Sequence, residues 1–148
     1  MIRIQNEQEL RECFRPLDRG EVELPQGLEF PFIVRDYFSW TEPSGFRVFL
    51  VMTDRTNRQG LGIVFRRDQS SNDMARMCDW CHSVSGGNSI TLLTAASSKR
   101  KRVGIHLCRD LGCKQKVEAL VDDGILTPYQ RMRRITDRMV EFARKTCF

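Results

Sequence analysis

The chain has 148 residues, of which 41% are hydrophobic and 29% charged, and its formal net charge is +5. This length and composition suit one soluble domain with a hydrophobic core, or one domain with a helical extension. No run reaches the roughly 18 apolar residues of a membrane span, and the first residues lack the apolar stretch of a secretory signal, so we expect a cytoplasmic protein without membrane contact.

The N-terminal segment predicts one short helix. Asn6 is expected to cap a helix over residues 7 to about 14, because its side chain can accept a hydrogen bond from an amide of the first turn. Glu9 lies where a capping box places an acidic residue. Pro16 is expected to end the helix, and the prolines and glycine between residues 25 and 31 predict an extended, turn-rich passage.

The next segment predicts an antiparallel meander of strands. Three runs are rich in aromatic and β-branched residues, as strands usually are: residues 32–40, 46–52 and 60–65. A Pro-Ser-Gly turn separates the first two runs, and a polar connection separates the second from the third.

The C-terminal half predicts a hairpin and two helices. Residues 89–96 and 101–107 are expected to be strands joined by a polar turn. A helix is expected over residues 108–121, with Gly124 after its end. Thr127 is expected to cap the last helix.

One face of this last helix is apolar. Its first helical residue is Pro128, whose missing N–H has no partner to lose at that position. Apolar residues recur at helical spacing and are expected to pack in the core rather than form a binding groove: Met132, Ile135, Met139 and Phe142. The arginines of this helix are interpreted as mostly solvated.

Four cysteines form two close pairs that are far apart in the sequence. Cys78 and Cys81 make the first pair, 26 residues follow, and Cys108 and Cys113 make the second. Four thiolates can close around one Zn²⁺ with bonds of about 2.3 Å. Because paired cysteines in the cytoplasm more often bind metal than form disulfides, we expect these four to be the ligands of a structural zinc ion.

Other residues near the pairs leave alternatives open. Either His82 or His106 could replace one cysteine in a Cys₃His site, although a role as hydrogen-bond partner near the thiolates is preferred. Cys13 and Cys147 have no partner at ligand spacing and are interpreted as core or surface residues.

The order of these segments is that of a treble-clef zinc finger. The first pair predicts a tight turn, called the knuckle below, the predicted hairpin follows, and the second pair opens a helix. A spacing of five residues points two thiols apart on a regular helix. We therefore expect Cys108 just before the helix and Cys113 in its first turn, with folding coupled to metal binding.

At these residues the chain resembles the C-terminal treble-clef domain of FusB-type elongation factor G-binding proteins. The resemblance is carried by residues 78–83 (CDWCHS), 85–88 (SGGN) and 108–113 (CRDLGC), and it is strongest over residues 70–120. It implies a zinc-stabilised, non-enzymatic protein that binds elongation factor G. Members of the family act on the factor at the ribosome, promoting its release when fusidic acid stalls it, and binding is attributed largely to the zinc-containing domain. A housekeeping role in translation is equally compatible with the resemblance.

The basic excess of the chain lies in its cysteine half. Residues 71–148 carry 14 basic and 8 acidic side chains, whereas residues 1–70 carry 10 and 11. An acidic partner is therefore expected to contact the second half. The candidate contacts are basic residues of the hairpin and second pair, and a knuckle tryptophan that is either exposed or packed on the hairpin: Trp80, Lys99, Arg100, Lys101, Arg102, Arg109 and Lys114.

Two other functions remain as alternatives. A basic RNA- or ribosome-binding zinc module is the first, because a basic hairpin suits phosphate contacts, although no aromatic residues interrupt the basic run. An enzyme is less expected, since both histidines flank metal cysteines and no Walker-type phosphate loop is present. No small-molecule substrate is expected.

The predicted fold class is α+β: an antiparallel β-sheet meander with a C-terminal treble-clef zinc finger and a terminal amphipathic helix. We expect a single domain of three consecutive segments. These are the N-terminal helix with its extended passage, the meander, and the zinc finger with the C-terminal helix: residues 1–31, 32–69 and 70–148.

Overall fold

The computed structural model describes residues 1–68, 74–86, 89–119 and 124–148. In chain order its elements are β1 (Ile2–Ile4), α1 (Glu7–Glu12), α2 (Pro16–Arg19), β2 (Phe32–Val34), β3 (Tyr37–Thr41), β4 (Arg47–Asp54), β5 (Gln59–Arg67), β6 (Arg76–Met77), β7 (Val84–Ser85), β8 (Ile90–Ala96), β9 (Arg102–Cys108), α3 (Cys113–Ala119) and α4 (Pro128–Thr146). The main sheet is antiparallel, in the order β3-β4-β5-β8-β9. Strands β1 and β2 form one separate pair, and β6 and β7 another. The predicted α+β class is confirmed.

Alternation along β4 gives the main sheet two buried faces. Val48, Leu50 and Met52 belong to one hydrophobic cluster, which α4 and the cysteine region cover. Phe49 and Val51 belong to the other cluster, which α1 and the β1–β2 pair cover. Successive side chains of a strand point to opposite faces, so a run of apolar residues here means that both faces are buried.

The predicted strand over residues 32–40 is two strands in the structure. β2 pairs with β1, whereas β3 pairs with β4, and the chain changes partner at Arg35 and Asp36. The sequence prediction was wrong at this point because the run is rich in strand-forming residues throughout. β1, with three residues, is too short for a recognisable alternation.

The first helix begins as predicted and ends earlier. The Asn6 side chain accepts a hydrogen bond from the Glu9 amide at 2.9 Å, which confirms the cap. The helix ends at Glu12, and Pro16 does not end it but opens α2. Proline is common shortly after the end of a helix, because it cannot continue the helix. It is also favourable at the first position of a helix, because that position needs no N–H donor.

The two halves of the chain share one sheet. The predicted hairpin is confirmed as β8 and β9, and β8 pairs with β5 through Phe65–Ala95, Arg66–Thr94 and Arg67–Leu93. The main sheet therefore crosses the boundary expected between residues 69 and 70. Division of the chain into three segments stays a prediction.

The C-terminal helix matches its prediction closely. The Thr127 hydroxyl accepts from the Gln130 amide at 3.1 Å, and the Gln130 side chain accepts from the Thr127 amide at 2.9 Å. The predicted apolar face packs in the core: Met132, Ile135 and Met139 are buried, and Phe142 packs against them from a partly buried position.

The helix expected over residues 108–121 begins later than predicted, at Cys113. Leu111 has a φ of 56°, a left-handed conformation that a helix cannot contain. The end expected for this helix lies outside the described residues, as do Gly87 and Asn88 of the SGGN segment. Across the described ranges, no helix has the length and apolar composition needed to cross a membrane.

Candidate metal centre

Cys78 and Cys81 lie in the knuckle between β6 and β7. The Cys78 amide donates to the Ser83 carbonyl at 2.9 Å, and the His82 amide donates to the Cys78 carbonyl at 2.8 Å. His82 has a φ of 60°, which turns the backbone sharply. The predicted tight turn is therefore present, and it brings both thiols to one side of the turn.

Backbone and side-chain hydrogen bonds fasten the knuckle to its neighbours. The Asp79 amide donates to the His106 carbonyl at 2.9 Å, and the Asp79 carboxylate accepts from the His106 amide at 3.2 Å. From α4, the Arg138 guanidinium donates to the Trp80 carbonyl at 2.6 Å. These contacts attach the knuckle both to β9 and to the C-terminal helix.

The second cysteine pair spans the end of a strand and the start of a helix. Cys108 is the last residue of β9, and Cys113 is the first residue of α3, as expected from their spacing. The loop between them is held from β3: the Tyr37 hydroxyl donates to the Leu111 carbonyl at 2.5 Å and accepts from the Lys114 amide at 2.9 Å. Because amides of a first helical turn lack partners within the helix, Tyr37 acts as a cap for α3 from a distant strand.

Arg67 holds the same loop from β5. One nitrogen of its guanidinium donates to the Gly45 carbonyl at 2.8 Å, and the other donates to the Arg109 carbonyl and the Asp110 carboxylate, both at 2.7 Å. The Arg67 side chain is only 5% exposed, so these acceptors compensate a largely buried charge.

Tyr37 and Arg67 were missed by the sequence-based reasoning. Tyr37 lies in a run that predicts a strand, and Arg67 lies just after the end of the third predicted strand run. Neither residue has a spacing that relates it to the cysteines, because the contacts depend on strands that meet the loop only after folding. The sequence offers one hint of the contact made by Arg67: Asp110, in the CRDLGC segment, is an acidic residue that could pair with an arginine.

The four sulfur atoms converge in the structure. All lie within 4.8 Å of one another, with 3.7 Å between the Sγ atoms of Cys78 and Cys113 and 3.5 Å between those of Cys81 and Cys108. A tetrahedron with zinc–sulfur bonds of about 2.3 Å has edges of about 3.8 Å. In the part of the chain that the structure describes, this cluster contains no histidine or carboxylate. Its geometry and its all-sulfur composition suit a structural Zn²⁺ ion.

Hydrogen bonds among the four thiols shift their pKa values in opposite directions. Hydrogen bonds to Cys108, then to Cys78 and Cys81, raise the pKa of Cys113 far above its usual value. Hydrogen bonds to Cys108 and Cys113 lower the pKa of Cys81. A divalent ion replaces such shared protons, so binding of the metal releases them.

A basic side chain lies beside the cluster. The Lys116 ammonium donates to the Ser83 hydroxyl at 3.0 Å, and this hydroxyl lies 3.1 Å from the Cys81 sulfur. Four thiolates around one Zn²⁺ leave two negative charges, and a nearby ammonium offsets one of them. His106 is not in the cluster, and its ring nitrogen lies 2.9 Å from the Arg76 guanidinium.

A sequence profile described as the FBP C-terminal treble-clef zinc-finger matches residues 9–146. The chain belongs to the FBP C-terminal treble-clef zinc-finger family. This description agrees with the order of knuckle, hairpin and helix in the structure. The family is described by its zinc finger and not by an enzymatic activity. A search of curated protein sequences gave no match.

Among solved structures, this FBP-type chain is similar to the fusidic acid resistance protein FusC. The TM-score is 0.55 with 14% sequence identity, and the alignment covers 98% of this chain and 59% of the FusC chain. The chain thus spans less than two thirds of the length of FusC. At this identity the likeness shows a shared fold.

The structure corrects the expectation that Trp80 could be an exposed contact. Trp80 is 2% exposed, and its ring centre lies 6.0 Å from that of Phe65 and 6.1 Å from that of Phe142. Burial of a tryptophan removes a large apolar surface from water. The ring therefore joins the knuckle to the sheet and to α4, and it offers no exposed surface to a partner.

The structure separates the predicted basic contacts into two groups. Residues 99–101 are exposed at the tip of the β8–β9 hairpin, and Arg102 follows at the start of β9. Arg109 is exposed at the opposite end, and Lys114, which pairs with Asp36 at 3.6 Å, lies there too. Strands of seven residues separate the two ends by roughly 20 Å. These candidate contacts therefore lie at opposite ends of one hairpin, and their role in binding a partner stays a prediction.

Proposed function

We propose that this protein is a zinc-stabilised, non-enzymatic binding protein whose partner is elongation factor G, and that binding changes the release of the factor from the ribosome. The observation that carries the proposal is the family match over residues 9–146. The resemblance of the cysteine segments supports it, since FusB-type proteins are held to bind the factor largely through the corresponding domain. The finer proposal is a cytoplasmic role in translation, with protection against fusidic acid as one form of it.

The zinc ion is proposed to be held by the cysteine cluster: Cys78, Cys81, Cys108 and Cys113. Their sulfur separations support this assignment. When bound, the ion supplies a structural cross-link, because four protein ligands fill its tetrahedron. The chain's own residues then keep the knuckle, β9 and α3 in a fixed arrangement that a partner can recognise.

The exposed basic residues are proposed to attract the acidic partner. The hairpin tip, residues 99–101, presents three exposed cations, and Arg109 adds one at the far end of the hairpin. Separated charges of one sign steer an acidic partner and raise the association rate more than they raise affinity. If binding favours one conformation of the factor, the chain shifts the factor toward that conformation.

Binding of purified elongation factor G to the zinc-loaded chain, measured by surface-captured kinetics at low and moderate salt, tests the proposal. A variant with all three tip residues changed to glutamate is expected to associate at least tenfold more slowly at low salt, because it has lost the steering charges. A matched control carries the same charge change at three exposed arginines elsewhere: Arg3, Arg58 and Arg134.

The outcomes of this experiment separate the proposal from its alternative. The control is expected to associate within about twofold of the parent chain, because its charges lie away from the hairpin. No binding of the factor at low salt would remove the proposal. Binding of RNA with a steep dependence on salt, together with no binding of the factor, would establish the RNA-binding alternative instead.

A further inference from the structure

A cationic cleft lies at the start of α4, outside the cysteine cluster and the hairpin tip. Its volume is about 470 Å³, and its lining comes from the N-terminus, the β2–β3 corner, the β4–β5 region and α4: Met1, Arg35, Asp36, Thr53, Arg55, Tyr129, Arg133 and Thr136. Ligand pockets usually occupy a few hundred cubic ångströms or more. The space therefore suits one small, compact group.

Three of the lining side chains are arginines, and the acidic side chains near them already have partners. Asp36 lies 3.6 Å from the Lys114 ammonium, and Asp137 accepts from Arg55 at 2.5 Å.

Within the described residues, neither Arg35 nor Arg133 makes a side-chain hydrogen bond or ion pair, and both are exposed. Two guanidinium groups are thus available for an anion.

An exposed aromatic ring lies beside these arginines. Tyr129 is 69% exposed although it is one of the largest apolar side chains of the surface. It lies one helical turn before Arg133, so the two side chains share a face of α4. Helical side chains lean toward the N-terminus, where the helix dipole also favours negative charge.

We infer that this cleft binds a nucleotide unit, with its phosphate on Arg35 and Arg133 and its base stacked on Tyr129. A guanidinium matches the oxygens of a phosphate with two parallel hydrogen bonds. A tyrosine ring accepts any base, because every base has a flat π face. An acidic peptide would use the arginines but would leave the Tyr129 ring without a planar partner. The nucleotide is either free or part of a single-stranded RNA.

Titration of the zinc-loaded full chain with adenosine monophosphate and with a labelled oligoadenylate tests the inference. Arg133→Glu is the variant, and Arg134→Glu is the matched control, since both residues are exposed on the same helix and only Arg133 lines the cleft. The first change is expected to weaken binding about tenfold or more, and the second less than about threefold. Equal weakening by both changes would show only a general charge effect and would overturn the inference.

Replacement of the aromatic ring separates the base from the phosphate. Tyr129→Ala is expected to weaken binding of adenosine monophosphate about fivefold or more, whereas Tyr129→Phe keeps the flat ring and the affinity. Ribose 5-phosphate, which has no base, is expected to bind Tyr129→Ala and the parent chain alike.

The two ligands distinguish the source of the nucleotide. An RNA strand is indicated if oligoadenylate binds far more tightly than adenosine monophosphate and loses this advantage in Arg133→Glu. A free nucleotide is indicated if the two ligands bind with equal affinity. Both results support the inference. If neither ligand bound, or if an acidic peptide of equal charge bound more tightly, the inference would be overturned. These measurements do not involve elongation factor G, so they stand apart from the test of the proposed function.

Discussion

Replacement of Tyr37 by phenylalanine removes one oxygen atom from the contact that positions Cys113. The Tyr37 residue is 8% exposed, and phenylalanine keeps its ring in the core. The change leaves the Leu111 carbonyl and the Lys114 amide without the partner that each has in the structure. A buried polar group without a partner costs about 1–3 kcal/mol. Because water reaches part of this loop, we expect a total loss of about 2–4 kcal/mol in the free energy of unfolding.

The change is also expected to weaken zinc binding. Groups that orient metal ligands typically contribute a factor of about 10–100 to affinity, and Tyr37 orients the turn that carries Cys113. Urea unfolding of the zinc-loaded chain measures the first effect, and competition with a chromogenic chelator measures the second. Burial raises the pKa of Tyr37 well above its usual value, so its hydroxyl stays protonated throughout the usable pH range.

Tyr129→Phe is the matched control for this prediction. It removes the same hydroxyl from a side chain that is 69% exposed, and it is expected to change the unfolding free energy by less than about 0.5 kcal/mol. If Tyr37→Phe were equally silent in both assays, Tyr37 would not be a cap for α3, and the account of how the second cysteine pair is positioned would be refuted.

Three further predictions concern packing, charge and metal. Gly62→Ala places a Cβ 2.6 Å from the ring of buried Phe14, and we expect a loss of about 1–3 kcal/mol in urea unfolding. Burial would raise the pKa of Glu42, but hydrogen bonds from Ser44 and Arg47 outweigh it and lower the pKa below 4.5. Glu42→Gln is therefore expected to cost about 1 kcal/mol near pH 7, and the difference should vanish as the pH falls through the folded-state pKa. Cys113→Ser, or a strong chelator, is expected to remove zinc and lower the melting temperature.

Each of these predictions has a control within the chain. Gly20→Ala should be nearly neutral, because no atom lies within 4 Å of the added Cβ. Glu29→Gln changes an exposed carboxylate and should show no such pH dependence. Cys13→Ser removes a thiol outside the cluster and should retain one zinc per chain. A stability difference for Glu42→Gln that persists in acid, or a Cys113→Ser protein with unchanged zinc content, would contradict the respective argument.

The features that the sequence predicted well are those that depend on near neighbours. The cap of α4 is visible in the sequence because Thr127 and Gln130 meet within one helical turn. The spacing of each cysteine pair predicts a metal site for the same reason, because the two thiols of a pair are close in sequence. Two such pairs supply the four ligands of a single ion. Local signals of this kind predicted the knuckle, the hairpin and the final helix.

The features that the sequence did not predict depend on contacts between distant segments. Nothing local marks the change of strand partner at Arg35, because it depends on β1, which is 30 residues earlier in the chain. The environment of Trp80 depends likewise on Phe65 and Phe142. The length of a hairpin separates charges that the sequence shows side by side, so the basic surface also required the folded structure.

Because β8 pairs with β5, the metal-binding half shares its sheet with the N-terminal half and is not a separate structural unit. A fragment that began after residue 69 would leave β8 as a bare strand edge and would uncover the apolar surface that Phe65 shares with the knuckle. Open edges and apolar surfaces of this kind promote aggregation. The zinc finger expressed alone would therefore tend to aggregate. Chimaeras between relatives should exchange the whole main sheet together with the finger.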